Sequence, residues 1–201
     1  MNTTTSLEAP AAGVPDTRVA RLPGIVVFIM ADMIVFAMLF TGFMTERAGQ
    51  LALFDRSSAT LDVRLGMLNT LILITSGLFV VFAVHAARQG KTKATRGWLL
   101  AGFLVGAGFG VSKTIEYSGK LEHGITMYTN DFYMFYYALT GAHFLHFLGG
   151  MLALAFLWFM AGRQKVDGPL FGWIESGGLY WHMVDLLWIV IFPMLYLLGP
   201  R

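Results

Sequence analysis

Residues 176–198 read SGGLYWHMVDLLWIVIFPMLYLL. The stretch is long enough to cross the hydrocarbon core of a bilayer, which takes about 20 apolar residues. His182 and Asp185 interrupt it three positions apart, on one side of a helix. Pro193, in its last part, is a kink site. Working back toward the N-terminus, four more segments of this kind appear. Residues 22–44 carry one charge, Asp32, and residues 65–87 carry none. Residues 97–117 end in Lys113 and Glu116. Residues 132–160 open after Thr129-Asn130-Asp131, a helix start signal, and stay uncharged. That fourth segment exceeds what a bilayer needs, so it tilts or projects. The expected fold is an all-α membrane protein, a five-helix transmembrane bundle over residues 21–201.

Composition agrees. The 201 residues are 56% hydrophobic and 13% charged, where a soluble domain carries about a quarter charged residues. Fourteen basic side chains against twelve acidic ones leave no surface for nucleic acid. The absence of cysteine excludes disulfides, thiolate zinc sites, iron–sulfur clusters and covalently attached c-type haem. Residues 1–20 are polar and lack the apolar core of a signal peptide, so a disordered cytoplasmic tail is expected. Arg18, Arg21, Arg88, Lys91, Lys93, Arg96, Arg163 and Lys165 fall on one side of the five spans. Arg47, Arg56, Arg64, Lys113, Lys120 and Arg201 fall on the other. The connection holding Arg88, Lys91, Lys93 and Arg96 has no acid, which places the N-terminus in the cytoplasm and the C-terminus in the periplasm of a bacterial inner membrane.

Helix association in lipid relies on small residues and interhelical hydrogen bonds. Gly102, Gly106 and Gly110 recur every four residues in the third span. Gly141, Gly149, Gly150 and Ala153 offer close approach in the fourth. Asn69, Thr70, Thr75 and Ser76 are hydrogen-bonding candidates in the second. The cluster Phe132, Tyr133, Phe135, Tyr136 and Tyr137 reads as an interfacial aromatic belt.

Polar groups at membrane depth carry the functional information, because a charge there costs a few kcal/mol even on insertion scales. Asp32 lies roughly 15 Å into its span at 1.5 Å per residue. His143 and His146 reach a similar depth from the opposite side, so an Asp32–histidine contact is expected, with the carboxylate either compensated or protonated. His143 and His146 share a spacing with His182 and Asp185. Three readings stay open for these groups: hydrogen-bonded structural histidines, a dinuclear metal site, or a b-type haem held by two of His85, His143, His146 and His182. Glu116 and Glu175 are the available glutamates, both near span ends. Transport is the least supported reading, since neither broken helices nor inverted halves are visible.

Taken together, the polar motifs resemble subunit III of haem–copper oxidases. Tyr180-Trp181-His182-Met183-Val184-Asp185-Leu186-Leu187-Trp188 is similar to that family's Tyr-Trp-His-x-Val-Asp-x-x-Trp. Thr140-Gly141-Ala142-His143-Phe144-Leu145-His146 resembles its Thr-Gly-x-His-x-x-His. Leu68-Asn69-Thr70 with Ser76-Gly77, and Glu116-Tyr117, stand at family spacing. Phe28-Ile29-Met30-Ala31-Asp32 resembles the segment bearing the family's intramembrane carboxylate, usually glutamate, whose histidine neighbour maps to His146. The resemblance implies the short five-helix bacterial form. It implies a non-catalytic chain that binds no redox metal itself, with haem and copper in partner subunits. Such a chain braces the catalytic subunit, holds phospholipid and supports proton uptake. Asp32, His146, His143 and Glu116 would be the proton- or lipid-linked residues. Asn69, Ser76, Tyr180, Trp181, His182, Asp185 and Trp188 would be structural. Tyr128-Thr129-Asn130-Asp131-Phe132-Tyr133 is similar to a branch associated with nitric oxide reductases in denitrifiers. The alternative is a free-standing haem or metal redox protein built on His143, His146, His182 and Asp185.

Overall fold

The computed structural model describes residues 22–199. The expected tail, residues 1–20, lies outside them. Six helices follow in chain order: α1 (Leu22–Gly49), α2 (Leu51–Ser58), α3 (Val63–Arg88), α4 (Thr92–Glu122), α5 (Asp131–Arg163) and α6 (Gly168–Tyr196). Among the described residues there is no strand. Five of the helices are long and apolar enough to cross a membrane. The sixth, α2, lies in the connection between the first two spans. Phe54 is its buried apolar anchor, packed edge-on to Phe43 of α1 and Phe132 of α5.

The spans are longer than hydropathy indicated because polar turns continue them past the apolar stretch. Helix α4 runs to Glu122 rather than 117, and α6 begins at Gly168 rather than 176. Side chains accept the first free backbone N–H groups at two entries. Asp62 Oδ1 accepts from the amides of Arg64 and Leu65 at 2.9 and 3.2 Å. Asn130 Oδ1 accepts from Tyr133 at 3.0 Å. Helix α6 continues through Pro193 to Tyr196.

Helices α3, α4, α5 and α6 form the packed body. Gly102 and Gly106 put α4 against α3: a methyl on Gly102 would lie 3.1 Å from Val80, and one on Gly106 would lie 3.1 Å from the Ser76 hydroxyl. The Ser76 hydroxyl donates to the Gly102 carbonyl at 2.7 Å, an interhelical bond that the missing side chain permits. Gly106 and Gly150 also make room for the Trp181 ring, which is fully buried. Gly141 differs from the expectation: nothing lies within 4 Å of where its side chain would be, so it packs no neighbour closely.

The aromatic cluster at the start of α5 is a second difference. Phe132, Tyr133 and Tyr136 are buried, and their rings pack on one another. They form the core at that end of the bundle rather than a belt. The start of α5 is covered by α2 and α4, and this coverage turns the rings inward. Helix α1 stands at the edge against α5 and α6. Among its described hydrophobic side chains only Phe36 and Phe43 are buried, while Val27, Met30, Ile34 and Met38 are exposed.

Candidate functional site

The polar groups inside the spans sort into three places. The first is the seam between α1 and α5. Asp32 Oδ1 lies 3.1 Å from His146 Nε2. The other imidazole nitrogen, Nδ1, lies 2.8 Å from the Ala142 carbonyl oxygen. A carbonyl only accepts, so Nδ1 carries hydrogen and Nε2 is the nitrogen left for Asp32. The contact is attractive only with a proton between Nε2 and Oδ1, whichever of them holds it. The two groups together are then neutral, which suits their depth. Phe36 packs edge-on to the imidazole at 5.6 Å between centroids. Tyr180 of α6 donates to the His146 carbonyl at 3.1 Å and stacks on Phe28 of α1. One turn further along α5, a cavity of about 300 Å³ opens between α1, α5 and α6. Its walls are mainly apolar and include Ile25, Gly149, Phe156 and Tyr180.

The second place is an ion pair sealed inside the body. Lys113 is 1% exposed and donates to Glu116 Oε2 at 2.8 Å and to the Tyr196 hydroxyl at 2.9 Å. Tyr136 and Tyr196 donate to Glu116 Oε1 at 2.6 and 2.7 Å. The ammonium also faces the Trp188 ring, 4.7 Å from its centroid. The expected position of Lys113 and Glu116 at the end of their span is therefore not what the structure shows. Helix α4 continues beyond them, and α5 and α6 close over them. Beside this pair, Tyr117 donates to Thr140 at 2.7 Å, and Thr140 donates to the Tyr136 carbonyl at 2.6 Å.

The third place is the polar run of α6. His182 Nδ1 is 3.5 Å from Asp185 Oδ2. That carboxylate presses on Gly77 of α3, where any side chain would collide with it. Trp188 donates from Nε1 to Thr70 Oγ1 at 3.0 Å. Asn69 is fully buried, and neither of its side-chain polar atoms meets a protein partner.

His143 and His146 part company. His143 is wholly buried, its Nε2 donating to the Val184 carbonyl at 3.1 Å and its ring packed on Phe109 and Trp188. His146 turns to α1. The 60° between positions three apart on a helix suffices to aim them at different neighbours. Among the described residues no group of three metal-ligating side chains converges, so the dinuclear and free-standing redox readings lose their ligand set. His143 spends Nε2 on the Val184 carbonyl and His146 turns its Nε2 to Asp32, so neither ring offers that nitrogen to a haem.

Comparison with known proteins decides the family. The family model described as cytochrome c oxidase subunit III matches residues 17–200. The chain belongs to the cytochrome c oxidase subunit III family. Relatives include cytochrome c oxidase subunit 3 of Corynebacterium diphtheriae, 30% identical over 86% of this chain and 85% of that one. Cytochrome c oxidase subunit 3 of a Synechocystis strain is 34% identical over 89% of this chain and 76% of that one. Cytochrome bo(3) ubiquinol oxidase subunit 3 of Pseudomonas putida is 28% identical over 88% and 84%.

Within this subunit III fold, the four motifs do not form one centre. Asp32 and His146 meet at the edge helix, Glu116 meets Lys113 in the interior, and the Trp181–Trp188 run locks α6 to α3, α4 and α5. Lys113, Tyr136 and Tyr196 were absent from the sequence-derived site residues. The one available signal was the Lys-x-x-Glu spacing in α4. Tyr136 and Tyr196 are brought in from α5 and α6 by tertiary packing alone.

Proposed function

We propose that the chain is the non-redox subunit III of a bacterial haem–copper oxidase complex, bracing the catalytic subunit and holding phospholipid. Family membership supports the assembly. The observation that carries the lipid role is the Asp32–His146 contact, which fastens α1 beside a largely apolar cavity. An acyl chain fits such a space, being unbranched and in need of no polar partner. Asp32 and His146 fix α1 at the edge of that cavity, and Glu116 with Lys113 keeps the body behind it rigid. Support of proton uptake is assigned to the complex through this bracing. The setting is the bacterial inner membrane, with the N-terminus cytoplasmic and the C-terminus periplasmic.

Affinity purification of the full chain from native membranes, followed by mass spectrometry, tests the assembly. A haem–copper catalytic subunit should co-purify, and deletion of the chain should shorten the catalytic lifetime of the oxidase under turnover. Recovery of the chain alone, with an unaffected oxidase in the deletion strain, defeats the proposal. A second reading, with a nitric oxide reductase as partner, rests on the Tyr128–Tyr133 run. Oxygen consumption against nitric oxide consumption by the purified complex separates the two.

A further inference from the structure

The end of the bundle opposite α2 carries a basic cavity that the Asp32–His146 and Lys113–Glu116 sites do not touch. It lies between the α3–α4 turn and the α5–α6 turn and measures about 670 Å³, within the range of ligand pockets. Lys91, Lys93 and Lys165 line it, together with one acid, Asp167. All three lysines are exposed, and among the described residues none has an acid within ion-pair distance. Three ammonium groups against one carboxylate leave a net charge of +2 around the opening. The two turns are tied rigidly: Val166 donates its amide to Thr92 Oγ1 at 3.2 Å, and Val166 itself is buried as the floor. Gly90, at φ +68°, closes the α3 end so that Lys91 enters α4 directly.

The depth of the cavity indicates the partner. Arg96, one turn along α4 from Thr92, lies over the Trp158 ring at 4.5 Å. Arg163 lies over Phe159 at 4.0 Å. Trp98 is partly exposed on the same stretch. Aromatic rings with basic side chains beside them mark the headgroup level of a membrane helix. A basic recess at that level faces phosphates rather than free solution.

We propose that this recess binds the phosphate of an anionic phospholipid headgroup, with Lys91, Lys93 and Lys165 as its cationic ligands. Asp167 sets the preference by repelling excess negative charge close to the α6 entry. The site is separate from the acyl-chain cavity of the proposed function, which lies between α1, α5 and α6. It stands whether or not that cavity holds lipid.

The test uses the full chain in its native membrane assembly, purified in mild detergent and exchanged into phosphatidylglycerol, phosphatidylethanolamine or phosphatidylcholine. Native mass spectrometry counts retained lipid. Phosphatidylglycerol should be retained preferentially, and each of Lys91→Gln, Lys93→Gln and Lys165→Gln should weaken that retention roughly fivefold. Asp167→Asn should retain at least as much as the wild type, which keeps the test valid even if a lysine variant assembles poorly. Arg64→Gln, at the other end of α3, should change nothing. Equal retention of phosphatidylcholine, an equal loss in Arg64→Gln, or reduced retention in Asp167→Asn overturns the proposal. So does displacement of the lipid by millimolar inorganic phosphate or by an acidic peptide, which would assign the recess to a soluble anion or a protein.

Discussion

The Lys113 side chain is 1% exposed and that of Glu116 9%, so each charge depends mainly on the other. Converting Glu116 to Gln removes the counter-charge and leaves the ammonium with neutral acceptors only, the Tyr196 hydroxyl and the new amide oxygen, and with the face of Trp188. Converting Lys113 to Met leaves the carboxylate with two hydroxyl donors, Tyr136 and Tyr196. Breaking one side of a buried pair costs about 3–5 kcal/mol, because the remaining charge is uncompensated. The double variant Lys113→Met/Glu116→Gln removes both charges, so it should cost less than Glu116→Gln alone. Reversible unfolding of the purified assembly in mixed micelles, followed by near-ultraviolet circular dichroism of the surrounding tryptophan and tyrosines, gives the four corners of the cycle. Additive single effects, with a coupling below about 0.5 kcal/mol, would refute the reasoning, since contacting groups are expected to exceed that.

Asp32→Leu removes every polar partner of His146 Nε2 on α1, so α1 should loosen and co-purifying phospholipid should fall, as measured by phosphorus analysis; unchanged lipid with an unchanged Tm argues against the seam. Gly106→Ala places a methyl 2.9 Å from the Trp181 ring, and overpacking of this kind costs about 1–3 kcal/mol. Gly119→Ala, with nothing within 4 Å, should instead stabilise α4 by up to about 1 kcal/mol. Thermal melts of the two variants, measured together, should therefore move in opposite directions. Trp188→Phe removes the bond to Thr70, worth about 0.5–1.5 kcal/mol, and also leaves a void at a fully buried site, so its total cost should exceed that of the bond. Thr70→Val in the Trp188→Phe background should add little, and a full additive loss would show that the bond is not shared.

The spans were readable because each apolar run is long and nearly free of charge, and in lipid only a helix satisfies its backbone. A contact between Asp32 and a histidine of α5 was readable from depth, since two polar groups at one level of a bilayer have few alternatives to meeting, and the family resemblance singled out His146. The Lys113 network was not, because Lys113 lies where hydropathy fades, and a fading run reads as an interface. Its burial comes from Tyr136 and Tyr196, far off in sequence. The α5 aromatics were misjudged for a related reason. A tyrosine cluster at a span end is compatible with a belt or with a core, and only the cover supplied by α2 and α4 distinguishes them. Helix α2 itself is too short to leave a periodic signal.

Both members of the buried ion pair belong to α4, three residues apart. Helix geometry alone therefore holds them within reach before any other span arrives. The consequence concerns biogenesis. Helix α4 can enter the bilayer with its two charges already cancelling, and α5 and α6 then deliver Tyr136 and Tyr196 to complete their solvation. A lysine and glutamate placed on different helices would have had to cross the membrane interface separately, each as a lone ion.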